Sequence, residues 1–166
     1  MRLYTFVNGL YMGPKQYGIQ SMHILGEMIA DFAPENDESW ETRTQADYIR
    51  YCHLRLWARE GKTVIMKSAV NCAGLRTVWN TINTINPPYI FTQFHEDEDS
   101  LDGALTSVGI IVPEHVAQAA DHKRNGGTWD IIDWDPESKV RMEYEGTILH
   151  DYDLALIDLL NNYSLA

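Results

Sequence analysis

At 166 residues, with 45% hydrophobic and 22% charged side chains, the chain has ordinary globular composition and the length of one domain. Its net charge of −11 argues against general nucleic-acid binding, which Lys and Arg drive by releasing counterions; the 13 basic residues form no obvious cluster. No apolar run approaches the ~20 residues of a membrane span and no secretory leader is evident, and two isolated cysteines, Cys52 and Cys72, point to a reducing, cytoplasmic setting.

Residues 2–8 read as a strand, since Leu3, Tyr4, Phe6 and Val7 are apolar and Thr5 is β-branched. The run suits a strand covered on both faces. Gly13 and Pro14 then punctuate a loop. A helix follows over about 18–32, with Met22, Leu25, Ile29 and Phe32 as its apolar stripe. Its N-terminus, near Gln16 to Gly18, suits an anionic ligand, because the first N–H groups of a helix lack partners. Gln20 and His23 share one face near that end. Residues 33–44 are polar and acidic and read as a loop.

A second helix spans 45–59, striped by Ile49, Cys52, His53 and Leu56. A strand at 63–67 follows the Gly61-Lys62 turn. Asn71 caps a third helix, with Val70 and Leu75 placed as a hydrophobic staple. Leu75, Val78, Trp79, Ile82 and Ile85 are its buried stripe, and Asn86-Pro87-Pro88 ends it. A strand at 89–94, an acidic loop at 95–103, a strand at 105–112 and a short helix at 114–122 complete a core of residues 1–122. Residues 123–166 read as an addition packed on that core: a β-hairpin around the Asp135-Pro136 turn, then an amphipathic helix over 153–163. Strands alternating with helices predict a three-layer α/β/α domain around a four-stranded mixed sheet.

Met12-Gly13 followed by Gln20-Ser21-Met22-His23 resembles the first motif of the type 2 peptidyl-tRNA hydrolases. Trp57, Gly61 and Lys67 match that family's helix-end Trp, its turn and the Lys closing its second strand. Thr106-Ser107-Val108-Gly109, running toward Pro113, resembles its fourth strand. The resemblance covers roughly residues 1–120 and implies a pocket that accepts the 3′ end of a tRNA.

Carried over position by position, the family's helix Gln is Gln20 and its fourth-strand Thr is Thr106. The catalytic Lys position holds Gln16, with Lys15 adjacent; the Asp position holds Phe94, and the Thr four residues on is Glu98. A shifted loop puts Asp97 or Asp99 in the Asp role. A hydrolase would therefore use Lys15, Gln20, Asp97 and Thr106, needing an activated water and a stabilised oxyanion. The preferred expectation is a pocket that has kept a ligand and lost hydrolysis. It captures a nucleotide-like anion with Lys15, Gln16, Tyr17, Gly18, Gln20, His23 and Thr106, as a viral sponge for a nucleotide immune signal would.

Rival expectations are an active peptidyl-tRNA hydrolase using tRNA, and a homo-oligomeric interaction protein. No cofactor and no metal are expected: the histidines lack metal spacing, and His95 with Glu96, Asp97 and Asp99 reads as an acidic surface loop. His23 is as readily a packed histidine as a ligand. Trp129 and Trp134 read as packing of the C-terminal addition, with stacking on a ligand ring as the alternative.

Overall fold

The computed structural model of the chain describes residues 1–9, 13–33, 43–133 and 141–166. Four strands, β1 (Arg2–Val7), β2 (Thr63–Ser68), β3 (Phe91–His95) and β4 (Leu105–Val112), form one mixed sheet in the order β2-β1-β4-β3. β1 runs parallel to β2 and antiparallel to β4, and β3 is antiparallel to β4. The apolar character of β1 and β4 has a direct cause in this order. Both are central strands with helices over either face, and all of β4 is buried.

The alternation of side chains along β1 separates two clusters. Leu3 joins Ile24 and Met28 of α1 (Pro14–Phe32), Leu54 and Trp57 of α2 (Gln45–Arg59), and Ile111 of β4. Tyr4 and Phe6 point the other way, toward Leu75, Val78 and Ile82 of α3 (Cys72–Ile85). α5 (Glu114–Arg124) and α6 (Asp151–Asn161) complete that second cluster. Between β3 and β4 the acidic segment contains a one-turn helix, α4 (Glu98–Leu101), which the sequence reading treats as loop.

Two helix faces and one terminal contact differ from expectation. In α1 the buried residues are Gln20, Ser21, Ile24 and Met28, while Met22 and Ile29 are 65% and 50% exposed. In α2 Leu54 and Trp57 are buried and Ile49 and Leu56 face outward. Both helices carry apolar residues around much of their circumference, so more than one 3.6-residue stripe fits the letters. The Val70–Leu75 staple does not form: Val70 is 62% exposed at φ 63°, although Asn71 does cap α3 by accepting from the Gly74 N–H. The third stripe is as expected at Leu75, Val78 and Ile82, with Trp79 and Ile85 half-buried.

α1 is held to the sheet by shape and by polar contacts. A Cβ on Gly109 would lie 2.2 Å from Ile24 Cγ2, so β4 needs a residue without a side chain where α1 crosses it. The buried hydroxyls of Thr5 and Ser21 are 2.7 Å apart, tying β1 to the same helix turn. The C-terminal segment also belongs to the core. β5 (Asp130–Asp133) and β6 (Arg141–Tyr144) pair antiparallel as the expected hairpin, and β7 (Thr147–Leu149) adds a third strand. The turn at 135–138 and Trp134 lie outside the described residues. Trp129 meets Tyr144 edge-on, with His122 of α5 against both rings, which is packing.

In α6, Asp153 is fully buried, accepting from the Tyr89 hydroxyl at 2.6 Å and the His150 N–H at 2.9 Å. Burial, with that bond to Asp153, pushes the Tyr89 hydroxyl well above its ordinary pKa. The buried Lys67 donates to the Tyr163 carbonyl at 3.0 Å, and residues 164–166 pair along β2.

Gly109→Ala is expected to destabilise the fold by about 1–3 kcal/mol through this overpacking, measured as a lower denaturation midpoint at unchanged m-value. A second expectation concerns pH. Burial holds His53 below its ordinary 6.5, and its Nδ1 is buried without a partner among the described residues. The folded state therefore favours the neutral ring. Its contribution to stability is complete above the unfolded value near 6.5 and is lost as pH falls below it. Burial shifts His115 the same way. Thermal unfolding is expected to show a lower midpoint at about pH 5 than at about pH 7, with a smaller difference in His53→Phe.

Candidate functional site

β1 and β2 end side by side, and the chain leaves both into helices. Beyond the carboxyl ends of parallel strands is where open α/β sheets place their ligands. A cleft of about 320 Å3 opens there, lined by Asn8, Cys72, Ser100, Leu101, Asp102, Ala104 and Thr106. Asn8 follows β1 and is fully buried; its N–H donates to the Thr106 carbonyl at 3.2 Å. Its side-chain amide donates to Cys72 Sγ at 3.1 Å, at the first residue of α3. α4 supplies the opposite wall.

Behind Thr106 lies a buried chain of hydrogen bonds. Thr106 Oγ1 donates to Gln20 Oε1 at 2.8 Å, and Gln20 Nε2 donates to Glu96 Oε1 at 2.7 Å. Ser107 Oγ adds longer contacts of 3.4 Å to the Gln20 carbonyl and to Oε1. Gln20 and Thr106 are 5% and 2% exposed, so the bond between them forms largely out of water, while the bond to Glu96 is part-buried. The structure thus joins Gln20 and Thr106, which are 86 positions apart in the chain.

The other expected site residues fall elsewhere, because α1 begins four residues earlier than its letters suggest. Gly13 is its N-cap and Pro14 stands at the first helical position, where a missing N–H and a fixed φ cost nothing. Gln16 caps this end itself, its Oε1 accepting from the Gly13 N–H at 2.6 Å. The N–H groups of Gln16 and Tyr17 both reach the Gly13 carbonyl, at 2.9 and 3.4 Å. The anion site expected at Tyr17 and Gly18 is therefore inside the helix and its donors are in use. Among the described residues no atom lies within 4 Å of a Cβ placed on Gly18, so that glycine serves no close approach to them.

Lys15 and Gly18 face a second, more open groove of about 650 Å3, with Ile19 and Met22 across from Val64 and Met66 of β2. Tyr17 leans over the strand ends: a Cβ on Gly9 would lie 3.5 Å from its hydroxyl and 2.8 Å from that of Ser68. His23 stacks flat on Phe94, centroids 4.2 Å apart and planes within 2°. Phe94, at the position where the resemblance leads one to expect a carboxylate, is thus taken up by this ring pair. Asp97 and Asp99 are exposed around α4, Asp97 as its N-cap. The acid that reaches the buried chain is Glu96, which the sequence reading placed only in the surface loop. Among the described residues no cluster of His, Cys, Asp and Glu is arranged to hold a metal, and no helix is long and apolar enough to cross a membrane.

Comparison with known proteins gives no further bearing: no protein-family model matches the chain, and no curated protein matches it.

Gln20→Ala is expected to lower stability by about 1–3 kcal/mol, since Glu96 and the buried Thr106 hydroxyl each lose a partner. Thermal unfolding measures this, and Thr106→Val in the same background is expected to cost less than in the wild type, because the pair is coupled.

Proposed function

We propose that the chain binds a nucleotide-like small molecule, without hydrolysing it, in the cleft where β1, β4 and α3 meet. The fold behind this is a three-layer α/β/α domain of the type 2 peptidyl-tRNA hydrolase kind, with residues 123–166 added to it. The mixed sheet with helices over both faces and the Gln20–Thr106 pair support that kinship.

One observation carries the non-catalytic reading. Lys15, the cation of the expected hydrolytic set, lines the groove beside β2, whereas Thr106 lines the cleft across the sheet end. Ester hydrolysis needs an oriented water and a donor at the developing oxyanion within reach of one carbonyl. Here the Glu96 carboxylate, which reaches Thr106 only through Gln20, is spent on the Gln20 amide, and Lys15 lines a different groove. What remains is a recess with an amide, a hydroxyl and a thiol on its floor and apolar Leu101 and Ala104 on its wall. Few polar groups on an apolar lining suit a flat, polar-edged ring. Asp102 at the rim disfavours a strongly anionic occupant in that position, so phosphate is expected at the open mouth and the base inside.

The rival hydrolase reading keeps one observation in its favour, the Gln20–Thr106 contact itself. Two measurements separate them. Mass spectrometry of small molecules released by heat denaturation is expected to find a nucleotide or nucleoside derivative. Wild-type protein is expected to leave peptidyl-tRNA intact; turnover that Thr106→Val abolishes would favour the hydrolase instead.

A further inference from the structure

The buried hydrogen-bond chain has a direction, and that direction reaches the cleft. A carboxylate only accepts, so the end of the Gln20 amide 2.7 Å from Glu96 must be its NH2. The other end is then the carbonyl oxygen, which also only accepts. Thr106 Oγ1, 2.8 Å away, has a single proton and must donate it there. Ser107 Oγ, 3.4 Å from the same oxygen, is compatible with that polarity. The assignment follows from the acceptor-only chemistry of Glu96.

A threonine hydroxyl whose proton is committed backward has only lone pairs left. Thr106 lines the cleft floor and is 2% exposed, so the group that meets it has little water to fall back on. We propose that Glu96, acting through Gln20, sets Thr106 as an acceptor, and that the cleft thereby selects a ligand edge bearing an exocyclic amine. This rests on the cleft being the nucleotide site proposed above. A sugar hydroxyl turns to donate or accept and would not sense the polarity. A base edge is rigid and does. An amino group pairs with Thr106, whereas an edge that carries no donor there leaves a buried acceptor unmet. Glu96 is a positioning residue in this scheme and does not touch the ligand.

The test is titration calorimetry with AMP and with purine riboside 5′-monophosphate, which lacks only the 6-amino group. Wild-type protein is expected to prefer AMP by about ten- to hundredfold. In Glu96→Gln the group at position 96 can donate or accept, so the Gln20 amide is free to reverse. The preference is expected to shrink to a few-fold, chiefly because the deaminated nucleotide binds better. A purely structural role for Glu96 would weaken both ligands alike and leave the ratio unchanged, which would overturn the proposal. Equal wild-type binding of both nucleotides would overturn it while leaving the cleft a nucleotide site. Binding of neither would remove the nucleotide reading and this inference with it.

Discussion

The Gln20 side chain has four hydrogen-bonding positions and almost no contact with water, and much of the site follows from how they are met. A primary amide can be buried only where its oxygen and its NH2 find partners; otherwise each unmet group costs about 1–3 kcal/mol. Here the partners come from β4 and from the segment leading into α4, so α1, the sheet end and the acidic loop are fixed relative to one another. That pose is available because Gly109 lets Ile24 sink against β4 one turn further along. Close packing brings the helix down, and the amide then specifies its rotation and register. Thr106 inherits its orientation from the same contacts, which links the packing of α1 to what the cleft can recognise.

Much of the sheet was legible in the letters. Runs such as Leu3-Tyr4-Thr5-Phe6-Val7 and Leu105 to Val112 are too short and too β-branched for helices, and too apolar for an edge. The Asn71 cap was legible too, because a side-chain acceptor before a helix is a local device. The rotation of α1 was not. Met22, Leu25 and Ile29 and the alternative Ile24 and Met28 fit the helical period equally, and only the sheet decides which set is buried. The start of α1 was misread because Gly-Pro punctuates loops as readily as it opens helices.

Of the candidate site, sequence brought out Gln20 and Thr106 but scattered their neighbours. Lys15, Gly18 and Thr106 are expected around one ligand, and they line two separate recesses. Asn8 and Cys72 carried no recognisable motif. Their role depends on two strands ending side by side, which is a tertiary fact. Glu96 was hidden among four other acids in its loop, and nothing local distinguishes it from Asp97 or Asp99. A signal was available in retrospect: Glu96 immediately follows a strand, where the backbone is still registered, since its N–H donates to the Ala104 carbonyl at 3.0 Å. The net charge of −11 is compatible with the proposed occupant, whose base would meet an uncharged floor while its phosphate stays in screening solvent at the mouth.

The central claim is that the occupied recess is the one floored by Asn8, Cys72 and Thr106. The two native cysteines make it directly measurable, because Cys72 lines this cleft and Cys52 sits half-buried on α2. Alkylation of each thiol, followed by mass spectrometry with and without saturating AMP, reports where the nucleotide lies. Protection of Cys72 with Cys52 unaffected is the predicted result. AMP that binds by calorimetry yet leaves the Cys72 rate unchanged would contradict the account and place the ligand elsewhere, the groove beside Lys15 first.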